Sequence, residues 1–272
     1  MYHSLYFFRG DVEQMDTLEA VNTYNDWHIV PLSRPVVDPP QQKLTQIDIP
    51  GANGLLDLSN SLTGYPVFEN RTGSMEFAVL NDITDWITVY TKVLRFLQGV
   101  NVRVIMEDDP NYFYEGRFYV DKWNSKSDGT WSTISFGYDF FPYRLSIKSS
   151  TDDDWLWDTF NFETDFIQST AFTAIQIDTG EDEWDERDFT GLIDNMPVIP
   201  DFTVDSFDDQ PIKAQLYNSD LGYDWVDLEL PDSETPYKIY NCILCESSPE
   251  SVVKMRFQGK GQVTMKFRSG RL

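Results

Sequence analysis

The chain has 272 residues, enough for two domains with separate cores, and its 45 Asp and Glu against 21 Lys and Arg give a formal charge of −24. So acidic a surface argues against sequence-specific DNA or RNA binding, because phosphate contacts need Lys and Arg, and against an anionic membrane surface. Aromatic residues make up 15 % of the chain, and 15 Gly and 14 Pro accompany few helical stripes, which favours a mainly β protein rich in turns.

Residues 2–9 read as a strand broken at Gly10-Asp11. Tyr24, Trp27, Ile29 and Val30 suggest one short strand, and Pro31, Pro35, Pro39 and Pro40 mark a loop or an extended arm. The stretch 47–80 reads as a strand, an ordered loop and a returning strand. Pro50, Gly51, Asn53 and Gly54 break the chain sharply, and Gly64 and Pro66 turn it again. Met75, Phe77 and Val79 then fall on one face of a strand, with Glu76 and Ala78 on the other. One helix follows: Ile83, Trp86, Ile87, Tyr90, Val93, Leu94 and Leu97 recur at helical steps. Asn81 or Asp82 can cap it, and Gly99 ends it.

Val100, Val102, Val104 and Met106 alternate with polar residues as a strand, and Glu107-Asp108-Asp109-Pro110-Asn111 reads as a solvated turn. Tyr112–Val120 returns as its partner. A further strand carries Ile134, Phe136, Tyr138 and Phe140 on one face. Ser149 to Asp154 reads as a linker, so the domain boundaries are 1–148 and 149–272. Residues 1–147 carry −8 and residues 148–272 carry −16. Strands are expected near 172–177, 202–204, 212–217, 225–230 and 237–244. The best-patterned hairpin comes last, with Val253, Met255 and Phe257 facing in, a turn at Gly259-Lys260-Gly261, and Val263, Met265 and Phe267 facing in again.

Chemistry is sparse. His3 and His28 sit in no metal or triad spacing, and no phosphate loop, nucleophile elbow or His-Glu-x-x-His stretch occurs. Cys242 and Cys245, three apart in the expected strand, lie on opposite faces and read as two buried thiols, neither a disulfide nor a zinc site. The expectation is no catalytic residues, no cofactor and no metal. The lack of a disulfide framework predicts synthesis in a reducing cytoplasm, and the first nine residues lack a signal peptide's basic start and apolar core. No apolar run approaches the length of a membrane span. Trp155, Trp157, Trp184 and Trp225 lie in the acidic half among carboxylates and amides, which raises the alternative of a carbohydrate-binding module contacting host cell-wall saccharides. The plainer reading is packing aromatics.

The string from 47 to 80 has a more specific resemblance. Ile49-Pro50-Gly51, Asn53-Gly54, Leu56-Asp57, Leu62-Thr63-Gly64 and Asn70-Arg71 with Glu76-Phe77 resemble the signature of the distal tail proteins of siphophages infecting Gram-positive bacteria. Gly116-Arg117 after an acidic, Tyr-rich turn, the Pro142-Tyr143-Arg144 ending and the terminal Gly259, Gly261 and Arg268–Leu272 extend it over nearly the whole chain. It is weakest from 11 to 46 and from 205 to 250. Family members often carry a basic residue where this chain has Ala52.

The resemblance implies a tail-tube-like N-terminal β-sandwich with one α-helix and a long hairpin, and a galectin-like C-terminal β-sandwich. It implies a structural hub of the virion tail tip or baseplate, typically a hexamer ring, that joins the tail tube to the tip proteins and passes DNA without stably binding it. The implied partners are other copies of the chain, the tail tube protein, the tail-associated tip protein and receptor-binding proteins, with no membrane. The motif positions Pro50, Gly51, Asn53, Gly54, Asp57, Asn70, Arg71, Gly116 and Arg117 are then candidate assembly contacts, in a protein assembled in the host cytoplasm.

Overall fold

The computed structural model describes residues 2–10, 20–61, 63–80, 86–125, 132–151, 170–207 and 211–272. In chain order its first strands are β1 (Leu5–Phe8), β2 (Val21–Asn22), β3 (Ile29–Pro31), β4 (Gln46–Asp48), β5 (Leu55–Asp57) and β6 (Arg71–Val79). After them come helix α1 (Trp86–Leu97), β7 (Asn101–Met106), β8 (Asp109–Ser125), β9 (Ser132–Phe140) and β10 (Arg144–Ser146). The remaining strands are β11 (Ile175–Asp178), β12 (Asp185–Asp188), β13 (Asp201–Ser206), β14 (Ile212–Asn218), β15 (Tyr223–Leu230), β16 (Ser233–Lys238), β17 (Val253–Gln258), β18 (Lys260–Lys266) and β19 (Gly270–Arg271). The protein is mainly β. Its backbone divides into two compact units, residues 1–42 with 68–145 and residues 43–67 with 146–272.

In the first unit seven antiparallel strands run in the order β2-β1-β7-β8-β9-β6-β3. The alternation read from the sequence drives them, because every second side chain of β7 and β9 reaches one apolar core. Phe7, Phe77, Phe118, Phe136 and Phe140 are fully buried there, with Phe118 stacked on Phe136 at 5.0 Å and Phe77 edge-on to Phe136 at 5.2 Å. Helix α1 lies on β8, with the Trp86 and Tyr90 rings against Trp123. Its buried stripe is Val89, Val93 and Leu97, so the expected face is rotated. Ile87 is 49 % exposed, whereas Val89, absent from that face, is buried. Apolar residues on both sides of the helix gave two overlapping 3.6-residue stripes, and contact with the sheet selects one. Gly99 ends the helix in the left-handed region, at φ +79°, as expected. Ile83 and the caps Asn81 and Asp82 lie outside the described residues.

The acidic turn after β7 is bonded rather than solvated. Glu107 Oε2 accepts the Ser4 amide at 2.7 Å, Asp108 meets His3 Nδ1 at 2.9 Å and Arg34 Nε at 2.8 Å, and Asp109 accepts from Arg144 at 2.7 Å. Partial burial alone would raise the Asp108 pKa, but the His3 and Arg34 hydrogen bonds outweigh it and hold the carboxyl below its usual range.

The second unit contains two four-stranded antiparallel sheets, β11-β18-β13-β16 and β12-β17-β14-β15. Their inner faces share one core that includes Phe172, Phe189, Phe202, Leu216, Met255, Phe257 and Met265. The expected terminal hairpin is corrected here. β17 pairs with β12 and β14, and β18 pairs with β11 and β13, so Gly259 and Gly261 carry the chain from one sheet to the other. Alternation alone cannot separate a hairpin from such a crossover, because both bury every second residue.

Cys242 and Cys245 are free and fully buried, but they lie after β16 in an irregular segment that pairs only through a Leu244 to Val198 bridge, rather than in the expected strand. Burial pushes the Cys245 thiol up to about 12, aided by Asp220 and Glu246, and raises Cys242 further still. Native protein at pH 8 should therefore react with an aromatic disulfide reagent more than ~100-fold more slowly than unfolded protein, since the thiolate is the nucleophile. Fast titration of both thiols before denaturant is added would contradict this burial.

Candidate assembly surface

Residues 43–57 form a projecting arm, every residue of which is exposed. β4 and β5 pair antiparallel with Gln46 opposite Asp57, Ile47 opposite Leu56 and Asp48 opposite Leu55. The tip turns through an Ala52 amide to Ile49 carbonyl bond of 3.0 Å. Gly51 and Gly54 sit there at φ +87° and +80° with open space around them, so backbone conformation rather than crowding requires glycine. Pro50 and Asn53 complete the bend.

The base of the arm is tied down. Leu58 N donates to Thr45 O at 2.8 Å, Thr45 N to Ser59 Oγ at 2.9 Å, and Lys43 N to Val67 O at 2.8 Å. Asp57 Oδ1 accepts from both the amide and the hydroxyl of Ser59, at 2.9 and 2.5 Å, which holds its carboxyl below the usual range. Asp57 and Ser59 thus form a local turn at the base of β5.

The arm has no core. Leu44, Ile47, Ile49, Leu55 and Leu56 are 43–60 % exposed. An isolated two-stranded hairpin is at best marginal in water, and contiguous exposed apolar side chains mark an interaction surface. Both arm strands also present free backbone edges to a partner strand.

The other motif positions gather elsewhere, around the end of β9. Arg71 on β6 and Gly116 on β8 lie opposite Phe140 from its two sides, and Arg117 lies opposite Asp139. Asn70 Nδ2 donates to Asp139 Oδ1 at 2.8 Å. Arg117 is exposed. Arg71 is only 5 % exposed; its Nε donates to Pro142 O at 2.6 Å, its Nη1 to Asp38 O at 3.2 Å, and its guanidinium lies 5.8 Å from the Tyr114 ring centre. Burial pulls its pKa down, and nearby Tyr114 partly offsets this. The nine positions therefore form two sets, an exposed arm with its hinge (50, 51, 53, 54, 57) and a cluster within the first unit (70, 71, 116, 117). Sequence reasoning missed Asp139 and Asp38 and read Tyr138 only as one of a strand's apolar face; all three complete that cluster. Tyr138 OH bridges the Asp38 amide and carboxylate at 3.0 and 3.1 Å. Asp139 could have been found as the polar residue alternating into the apolar run of β9.

Two antiparallel β units, one carrying helix α1 and one with paired sheets, together with an exposed apolar arm, make up a mainly β protein. No protein-family model matches the chain, and no curated protein matches it. Among solved structures, the crystal structure of SPP1 Dit (gp 19.1) protein, described as a paradigm of hub adsorption apparatus in Gram-positive infecting phages, aligns over 100 % of both chains with a TM-score of 0.50 at 12 % identity. The chain has a Dit-like fold.

Proposed function

We propose that this protein is a structural hub of a phage tail tip, built as a ring of identical subunits, with no catalytic role. The observation that carries this reading is the exposed apolar arm of β4 and β5, which needs a partner surface. The Dit-like fold supports it, since SPP1 Dit is itself described as a hub adsorption protein. A ring needs two different complementary patches on each subunit, with closure set by the angle between them, and an exposed apolar arm tied at its base by the Thr45, Leu58 and Ser59 hydrogen bonds supplies one. In this reading the ring, typically of six copies, joins the tail tube protein to the tip protein. The second units offer places for receptor-binding proteins, and DNA passes through a wall that does not hold it. The protein is made in the host cytoplasm and ends in the virion.

Sedimentation of the full chain tests this. The wild type should form one closed oligomer, and Leu55→Ser with Leu56→Ser should give monomers with an unchanged melting temperature, because those side chains are exposed in the monomer. Each subunit carries −24, so association should strengthen as salt rises and screens the repulsion over roughly 8 Å at physiological ionic strength. A wild type that stays monomeric at every salt and concentration, or a variant that still closes rings, refutes the role given to the arm.

A further inference from the structure

The outer face of the sheet β12-β17-β14-β15 holds an ordered polar and aromatic surface that the hub reading does not use. Its registers place Glu186, Arg256, Gln215 and Asp227 side by side in one row across four strands. The neighbouring rows carry Asp188, Lys254 and Tyr217 on one side and Gln258, Lys213 and Glu229 on the other. Two indoles close over the centre. The Arg256 guanidinium lies 4.8 Å from the Trp184 ring centre and 4.2 Å from that of Trp225, so it is held between them.

The central row is fixed before any ligand arrives. Arg256 Nε donates to Gln215 Oε1 at 2.5 Å, and Gln215 Nε2 donates to Asp227 Oδ1 at 2.6 Å. Lys254 Nζ meets Glu186 Oε1 at 2.9 Å beside it. Among the described residues, the terminal amino groups of Arg256 and the second oxygen of Asp227 have no hydrogen-bond partner. Donors and acceptors thus stand side by side in fixed positions. Trp225 reaches Arg256 from an irregular stretch where the β14–β15 register shifts, at φ +45°, a conformation that costs a non-glycine residue energy. Such an irregularity re-aims a side chain, and here it brings an indole over the polar row.

The charge on this face selects the ligand. Lys213, Lys254 and Arg256 stand against Glu186, Asp188, Asp227 and Glu229, three cations to four carboxylates, so the face is close to neutral on a chain of −24. An anion would meet the carboxylates and a cation would meet the guanidinium. A neutral polyhydroxyl ligand suits both, because each hydroxyl donates and accepts, and the C–H faces of a sugar ring pack on half-exposed indoles. Three rows two residues apart and four strands span about 14 Å by 14 Å, room for a short oligosaccharide rather than one ring.

We infer that the outer face of this sheet is a binding site for a neutral saccharide, with Trp184 and Trp225 as stacking walls and Arg256, Gln215 and Asp227 as hydroxyl partners. The site needs no ring and is present on each subunit.

The test uses the full chain, titrated by calorimetry and tryptophan fluorescence with the trisaccharides of N-acetylglucosamine, glucose, galactose and mannose, and with trigalacturonate as an anionic control. At least one neutral trisaccharide should bind saturably at millimolar or lower concentration and alter the fluorescence. Trp184→Ala and Asp227→Asn should each weaken that binding at least about tenfold, some 1.4 kcal/mol, with the melting temperature unchanged. Trigalacturonate should bind more weakly. The site is refuted if no neutral trisaccharide binds, if both variants bind like the wild type, or if trigalacturonate binds tightest. Capture of a protein partner on this face without saccharide binding would refute it too.

Discussion

Replacing Arg71 with alanine should destabilise the first unit by about 4 kcal/mol, enough to lower its melting temperature by roughly 15 °C. The side chain is almost fully buried, and it donates to two backbone carbonyls, Pro142 O and Asp38 O. Truncation leaves both acceptors without their charged donor and opens a void beside Tyr114. Hydrogen bonds to charged groups contribute about 1.5–3 kcal/mol each. Arg71→Lys keeps the charge but cannot reach two carbonyls with a planar fork, so it should fall between alanine and the wild type. Thermal unfolding followed by near-ultraviolet circular dichroism measures all three proteins. A shift below about 3 °C for the alanine variant would mean that water takes over both carbonyls and that the guanidinium is dispensable to the fold.

Gly116→Ala should be nearly as damaging, at about 3 kcal/mol, through crowding rather than a lost bond. Gly116 lies at φ +155° opposite Phe140, where an added Cβ would overlap the Asp139 carbonyl oxygen and come within 2.8 Å of Phe140 Cα. Both obstacles are backbone, so no side chain can move aside, and β8 must separate from β9 at that point. Amide hydrogen exchange should show faster opening of β8 and β9 around residue 116, with the second unit unaffected. Unchanged exchange in those strands would show that the sheet absorbs the methyl group without loss of pairing.

Arg71 and Gly116 also show where the sequence was legible. The motif pairs Asn70-Arg71 and Gly116-Arg117 stood out, yet nothing in a linear string shows that both lie against Phe140, one from each side of β9. The strands of the first unit were readable because Val102, Val104 and Met106, and then Ile134 to Phe140, alternate cleanly. The helix face was misjudged at Ile87 and Val89 because two apolar stripes overlapped and only the sheet decides between them. The turn carboxylates looked solvated because their partners, His3, Ser4, Arg34 and Arg144, lie 35 to 105 residues away. The arm's strong bend was visible in Pro50, Gly51, Asn53 and Gly54. Which of its apolar side chains stay exposed was not, because Leu55 and Leu56 belong to an apolar run too short to assign by period. Trp184 and Trp225 were visible in the sequence as candidate saccharide contacts, but the row of Glu186, Arg256, Gln215 and Asp227 beneath them was not, for the same reason as the β17–β18 crossover: it depends on register between strands far apart in sequence.

That crossover bears on how the protein is made. β17 sits between β12 and β14 in one sheet, and β18 sits between β11 and β13 in the other. The two central strands of the sandwich are therefore the last of its eight to leave the ribosome. Until they arrive, β11 and β13 lack the strand that joins them, as do β12 and β14, and their inner faces stay open to water. The seven strands of the path β2-β1-β7-β8-β9-β6-β3 all precede the sandwich strands in the chain, whereas the sandwich must wait and then close in one late step that buries Met255, Phe257, Val263 and Met265 together. A nascent chain stalled before Val253 would display several unpaired strand edges at once, the state in which neighbouring chains on a polysome are most prone to pair with each other.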